Sequence, residues 1–98
     1  MNDNLKFLND LKVNVRKFYS KFNYEPLKNK MKKFYEDVIY SDPVSSPDLY
    51  VIEDEINRKF SLLVITYANH EFNKLDNIID DLISLIEERN YNCKMGKN

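Results

Sequence analysis

Glycine is nearly missing from this chain: Gly96 is the single one in 98 residues. Loops that cradle phosphates need several backbone positions at positive φ or in close approach to the ligand, so a Gly-rich nucleotide site is excluded. Cysteine is equally scarce, since Cys93 has no second cysteine to pair with, whereas a small secreted domain normally carries an even disulfide set. A cytoplasmic protein is therefore expected. One histidine and one cysteine cannot assemble a structural zinc site, and His70 has Tyr67 three residues before it, not the Glu of a helical Glu-x-x-His metal motif. No metal and no cofactor are expected. The longest stretch free of charge, Ser61 to Ala68 with Asn69 excluded, falls far short of the ~20 residues that a bilayer span requires. The first residues lack the basic region and apolar stretch of a secretory leader.

Catalytic constellations are also thin. Nucleophilic catalysis needs a base oriented on a Ser, Cys or Thr, and His70 falls in a short polar connection, Asn69 to Glu71, with no convincing partner. Lys94 alone is weak support for an activated Cys93 thiolate. The chain is read as a non-enzyme.

What remains is ample apolar material in four helical stripes. Eighteen Leu plus Ile, six Val and thirteen aromatics are enough for one compact core despite 32% charged residues. The first stripe is Leu8, Leu11, Val15, Phe18 and Phe22, stepping 3, 4, 3, 4, which predicts a helix over 3–22 with Asn2 or Asp3 as cap. The second is Leu27, Met31, Phe34 and Val38, predicting a helix over 26–40 with Pro26 in its first turn. The clearest break follows, because Tyr40 to Pro47 contains two of the three prolines and three of the six serines. Ser46, Pro47 and Asp48 read as N-cap, N1 and N2 of a third helix over 47–68, with the stripe Leu49, Ile52, Ile56, Phe60, Leu63 and Tyr67. Asp54 with Arg58 and Glu55 with Lys59 add acid-before-base pairs at i,i+4. The fourth stripe, Phe72, Leu75, Ile79, Leu82 and Ile86, predicts a helix over 71–90, and the polar residues 91–98 are expected to fray.

One segment resists this pattern: Leu62 to Tyr67 is rich in β-branched residues that favour strands. Against a hairpin stands the absence of Asn-Gly or Asp-Gly turns. The expected fold is all-α, one domain over residues 1–98, either an antiparallel bundle of about four helices or long αα-hairpins completed by dimerisation.

Charge is distributed unevenly. Residues 1–40 hold nine basic and five acidic side chains, and residues 41–98 hold six basic and eleven acidic. Lys28, Lys30, Lys32 and Lys33, with Lys17 and Lys21 before them and Tyr19, Tyr24 and Tyr35 interleaved, form a candidate nucleic-acid contact of cations and stacking rings. The competing reading is the solvated side of two amphipathic helices, and no groove-reading signature accompanies the lysines. On the fourth helix Asp76, Asp80 and Glu87 lie along one flank. Like charges at i,i+4 repel by a few tenths of a kcal/mol, and Lys74 is the one nearby cation within the helix. The row is therefore a candidate partner-binding surface that would steer a basic target. Asp42 is either a turn residue or a further partner contact.

The run Phe34 to Leu49, with Ile52-Glu53 and later Glu88-Arg89-Asn90 and Cys93-Lys94, resembles small helical proteins encoded on mobile elements of low-GC bacteria. The resemblance implies no catalytic residue. It implies a conjugative-element, plasmid or phage setting, in which small proteins bind host or competitor machinery; an anti-CRISPR-like inhibitor is one such function, although no anti-CRISPR motif is matched. Bacteriocin immunity proteins are a second comparison, from which this chain departs by lacking their strongly basic balance. The expected function is thus a small non-catalytic protein-binding inhibitor or accessory factor, with a protein partner and no membrane partner. A nucleic-acid-binding accessory role is the alternative, and a homodimer is a further option.

Overall fold

A computed structural model describes residues 3–96. The chain is an all-α bundle, 85% helical, of four α-helices: α1 (Lys6–Lys21), α2 (Lys28–Ile39), α3 (Tyr50–Ala68) and α4 (Leu75–Met95). Each is entered through a single 3-10 turn, at Asp3–Leu5, Glu25–Leu27, Pro47–Leu49 and Phe72–Lys74. None of the four α-helices receives a side-chain cap at its N-terminus; tight i→i+3 turns lead the chain into each first turn instead. Pro26 is the second residue of one of these turns and Pro47 the first of another, positions where a missing N–H costs nothing. Asn2, one of the two candidate caps of the first helix, lies outside the described residues.

Every predicted stripe points inward. Leu8, Leu11, Val15 and Phe22 of the first, Met31, Phe34 and Val38 of the second, Leu49, Ile52, Ile56, Phe60 and Leu63 of the third, and Leu75, Ile79, Leu82 and Ile86 of the fourth are all buried in one core. Phe18, Leu27, Tyr67 and Phe72 pack half-buried at its margin. The four stripes meet within one chain. Leu62 to Tyr67 lies inside α3, and no strand occurs among the described residues. Leu63 and Thr66 are buried from this segment while Leu62, Val64 and Ile65 are exposed, a helical pattern that overrides the β preference of the residues themselves.

Three sequence expectations need correction. The tail does not fray from residue 91: α4 runs to Met95, because Arg89 and Cys93 continue its inward stripe beyond Ile86 and both are buried. Ser46 stands at the N-terminus of the Pro47–Leu49 turn, yet its side chain makes no cap hydrogen bond; only its backbone carbonyl accepts, from Leu49 N–H at 2.9 Å. The serine with a structural role is the preceding one, Ser45, whose hydroxyl turns inward. Finally, α2 ends at Ile39, and Tyr40 is exposed beyond it.

The pairings set the arrangement. The start of α2 meets the start of α4 through Lys30, Asp76 and Asp80, so these helices run parallel. The end of α4 meets the start of α3 through Arg89 and Glu53, so those run antiparallel. Helix α4 packs broadly on both α2 and α3, and α1 packs on α2, while the α1–α3 contact is narrow. The α3–α4 connection is a Schellman turn: Glu71 N–H donates to Thr66 C=O at 3.1 Å and His70 N–H to Tyr67 C=O at 3.0 Å. His70 takes the left-handed position with φ 60°, a place normally filled by glycine.

Candidate interaction surface

The most buried polar construction in the protein is a clamp on the loop of residues 41–47. Arg89 is 0% exposed and Glu53 4%, and the Arg89 Nε donates to Glu53 Oε2 at 3.2 Å. The guanidinium also donates to the carbonyls of Asp42 at 2.6 Å and Val44 at 3.2 Å and to Asn90 Oδ1 at 3.1 Å. The other Glu53 oxygen accepts from Ser45 Oγ at 2.5 Å, and Ser45 N–H donates to Asn4 C=O at 2.7 Å. Asn90 Nδ2 donates to Ser41 Oγ, which in turn donates to Asp37 C=O, at 2.8 and 2.5 Å. No buried side-chain polar atom among the described residues lacks a partner, the condition under which a buried charge pair is tolerable. Ser41 to Ser45, Glu53, Arg89, Asn90 and Cys93 thus converge on one structural element.

Asp42 belongs to this clamp. Its Oδ1 accepts Val44 N–H at 2.9 Å, an Asx turn, and its carbonyl holds Arg89.

The acidic flank of α4 is tied to α2. Lys30 donates to Asp76 and, at 2.8 Å, to Asp80, so a cation from another helix offsets the i,i+4 repulsion that Lys74, engaged by Glu71, does not. These two carboxylates hold the Lys30 amine above the ordinary lysine value, Asp76 most strongly. Lys33 is likewise raised, chiefly by its hydrogen bond to Asp37 and also by the charge of Glu87. Asp81 pairs with Lys59 at 3.1 Å.

The candidate nucleic-acid contact is partly occupied. Besides Lys30 and Lys33, Lys28 donates to Phe22 C=O and lies over the Tyr19 ring. Lys32 is exposed and makes no ion pair among the described residues. The rings stack within the protein: Tyr19 on Tyr35 with centroids 4.6 Å apart, and Tyr24 on Phe72 at 4.7 Å.

A different surface is left uncovered. Leu62, Val64 and Ile65 are 44, 38 and 57% exposed, on the part of α3 that carries no charge between Ser61 and Ala68. On one side the patch continues to Leu85 of α4. On the other it falls into an apolar groove of about 390 Å³ in the α1–α3 seam, whose lining includes Phe18, Phe60, Val64, Tyr67 and Ala68. Tyr67 fixes the end of this groove: its hydroxyl accepts Asn23 N–H at 3.0 Å and lies 2.7 Å from Asn23 Oδ1.

Arg89 and this face were the two features that residue type concealed. The signal for Arg89 was its register, since Leu82, Ile86, Arg89 and Cys93 step 4, 3, 4. The signal for the face was that Leu62 to Tyr67 leaves a helix with no polar outer side.

No helix of the described residues is long and apolar enough to cross a membrane, and none of their His, Cys, Asp and Glu side chains group as a metal site would need. Comparison with family models, curated proteins and solved structures gave no match.

Proposed function

We propose that the chain is a small non-catalytic protein-binding factor whose docking face is the outer, C-terminal half of α3. The observation that carries this reading is the contrast between charge and apolar surface. Lys30 of the lysine patch ties down Asp76 and Asp80 across the α2–α4 interface, whereas Leu62 and Ile65 stand exposed one turn apart on α3, with Val64 exposed on its α1 flank. Contiguous apolar surface of this kind marks interaction sites. The two groups that sequence offered for covalent chemistry are at opposite ends of the bundle, His70 in the α3–α4 turn and Cys93 against Val44 C=O at the other end of α4. The mobile-element resemblance adds a specific form of this function, an anti-CRISPR-like inhibitor that occludes a surface of host or competitor machinery.

The test is a comparison of the natural protein with Leu62→Lys/Ile65→Lys, both shown helical by circular dichroism. Immobilised natural protein should retain a specific bacterial protein that the variant releases. Neither should bind a 20-base-pair DNA duplex with the steep salt dependence of phosphate contacts. Capture indifferent to the α3 variant, or salt-steep duplex binding, would replace this reading with the nucleic-acid alternative or another surface.

A further inference from the structure

Resting on the protein-binding reading, we infer that the α1–α3 seam receives a short amphipathic helix of the partner, apolar toward the groove and acidic along the edge that meets α1. The floor is preorganised. Phe18 meets Phe60 and Tyr67 edge-on, with centroids 5.8 and 5.3 Å apart, so rigid rings line the space before anything binds. Val64 and Ala68 form the α3 wall, and Asn14, Lys17 and Lys21 the α1 wall.

Charge selects the occupant. In the other half of the seam the carboxylates are already answered, Asp10 by Lys6 at 2.7 Å and Asp54 by Arg58 on the outer side of α3 at 3.2 Å. Lys17 and Lys21 have no ion pair among the described residues. They stand four residues apart on α1, a rise of about 6 Å, which is the spacing of two carboxylates at i,i+4 on a facing helix. A second copy fits this edge poorly, because the carboxylates of its own seam, Asp10 and Asp54, are already paired.

Backbone chemistry selects the conformation. Both walls are helices whose N–H and C=O groups are mutually bonded, so an extended peptide would find no edge to pair with. A helix brings its own backbone hydrogen bonds satisfied. From Asn14 to Lys21 the groove spans about 10 Å of helix, room for apolar residues at i, i+3 or i+4, and i+7.

The test uses a stapled 15-residue helical peptide with Leu at i, i+3 and i+7 and two Glu at i,i+4 along one edge, labelled for fluorescence anisotropy. A matched peptide carries Lys in place of both Glu. At 50 mM salt the Glu peptide should bind the natural protein at least tenfold more tightly than the Lys peptide. Lys17→Glu/Lys21→Glu should reverse that preference, and Val64→Arg should abolish binding of both; Ala68→Arg, at an exposed position, serves if Val64→Arg unfolds. Equal binding of the two peptides, no binding, or binding that survives the groove variants overturns the inference. So does sedimentation showing a dimer of the natural chain that Val64→Arg disperses, since a second copy would then own the groove. If lysate capture depends on Leu62 and Ile65 but the peptides fail, this inference falls and the protein-binding reading stands. If capture fails as well, both fall.

Discussion

Replacing Arg89 by Met removes the guanidinium from a fully buried site while keeping an unbranched apolar stem. Glu53, itself 4% exposed, would be left charged without its cation. Removing one partner of a buried pair costs about 3–5 kcal/mol. The loop contributes more, because the carbonyls of Asp42 and Val44 lose the donor they share, at roughly 1–3 kcal/mol for each one that water cannot reach. A domain of this length has a total stability of only about 5–15 kcal/mol. Arg89→Met should therefore lower the urea midpoint by more than ~1 M, taking a slope of about 1–3 kcal/mol per M. The double variant Glu53→Leu/Arg89→Met should recover part of the loss, since the orphaned charge is gone, but not all of it, since the Asp42 carbonyl loses its donor and the Val44 carbonyl keeps only the weak Cys93 thiol. A single variant within ~1 kcal/mol of the natural protein would refute the argument, because the clamp would then be open to water. Full recovery in the double variant would refute the role given to the loop carbonyls.

The adjacent serines should behave oppositely: Ser45→Ala removes a hydrogen bond to the buried Glu53 carboxylate and should cost about 1.5–3 kcal/mol, whereas Ser46→Ala should fall within about 0.5 kcal/mol of zero; urea denaturation of the pair decides it. His70→Gly should raise stability by about 0.5–1 kcal/mol, the left-handed penalty of about 1–2 kcal/mol less the extra chain entropy that glycine loses on folding. The melting temperature should rise by roughly 3–6 °C, and a fall would contradict the Schellman assignment. The Lys30 amine is raised in the folded protein above the ordinary 10.5, so its contribution is fully present below that value and is lost as pH climbs through the folded value. The urea midpoint should accordingly drop more steeply in strongly alkaline buffer for the natural protein than for Lys30→Met; parallel curves would remove the Asp76–Lys30–Asp80 bridge from the account.

Sequence by itself determined the four helices, their inward stripes and the break at Tyr40 to Pro47, because these depend on apolar periodicity and proline geometry within a few turns of chain. Even the register of Arg89 was present in the sequence, although its charge disguised it as surface. Tertiary structure alone decided what each charge does. Lys30 and Asp76 are 46 residues apart, and Arg89 and Glu53 are 36, separations at which composition carries no information about partners. The packing order of the helices joined Asp76 and Asp80 of the acidic row to Lys30 of the lysine patch in one intramolecular bridge. It also placed the uncharged side of α3 beside the narrowly joined edge of α1, where no other element of the described residues covers it. A helical stripe records that a face is apolar, but which neighbour comes to bury it, or fails to, follows only from the folded arrangement.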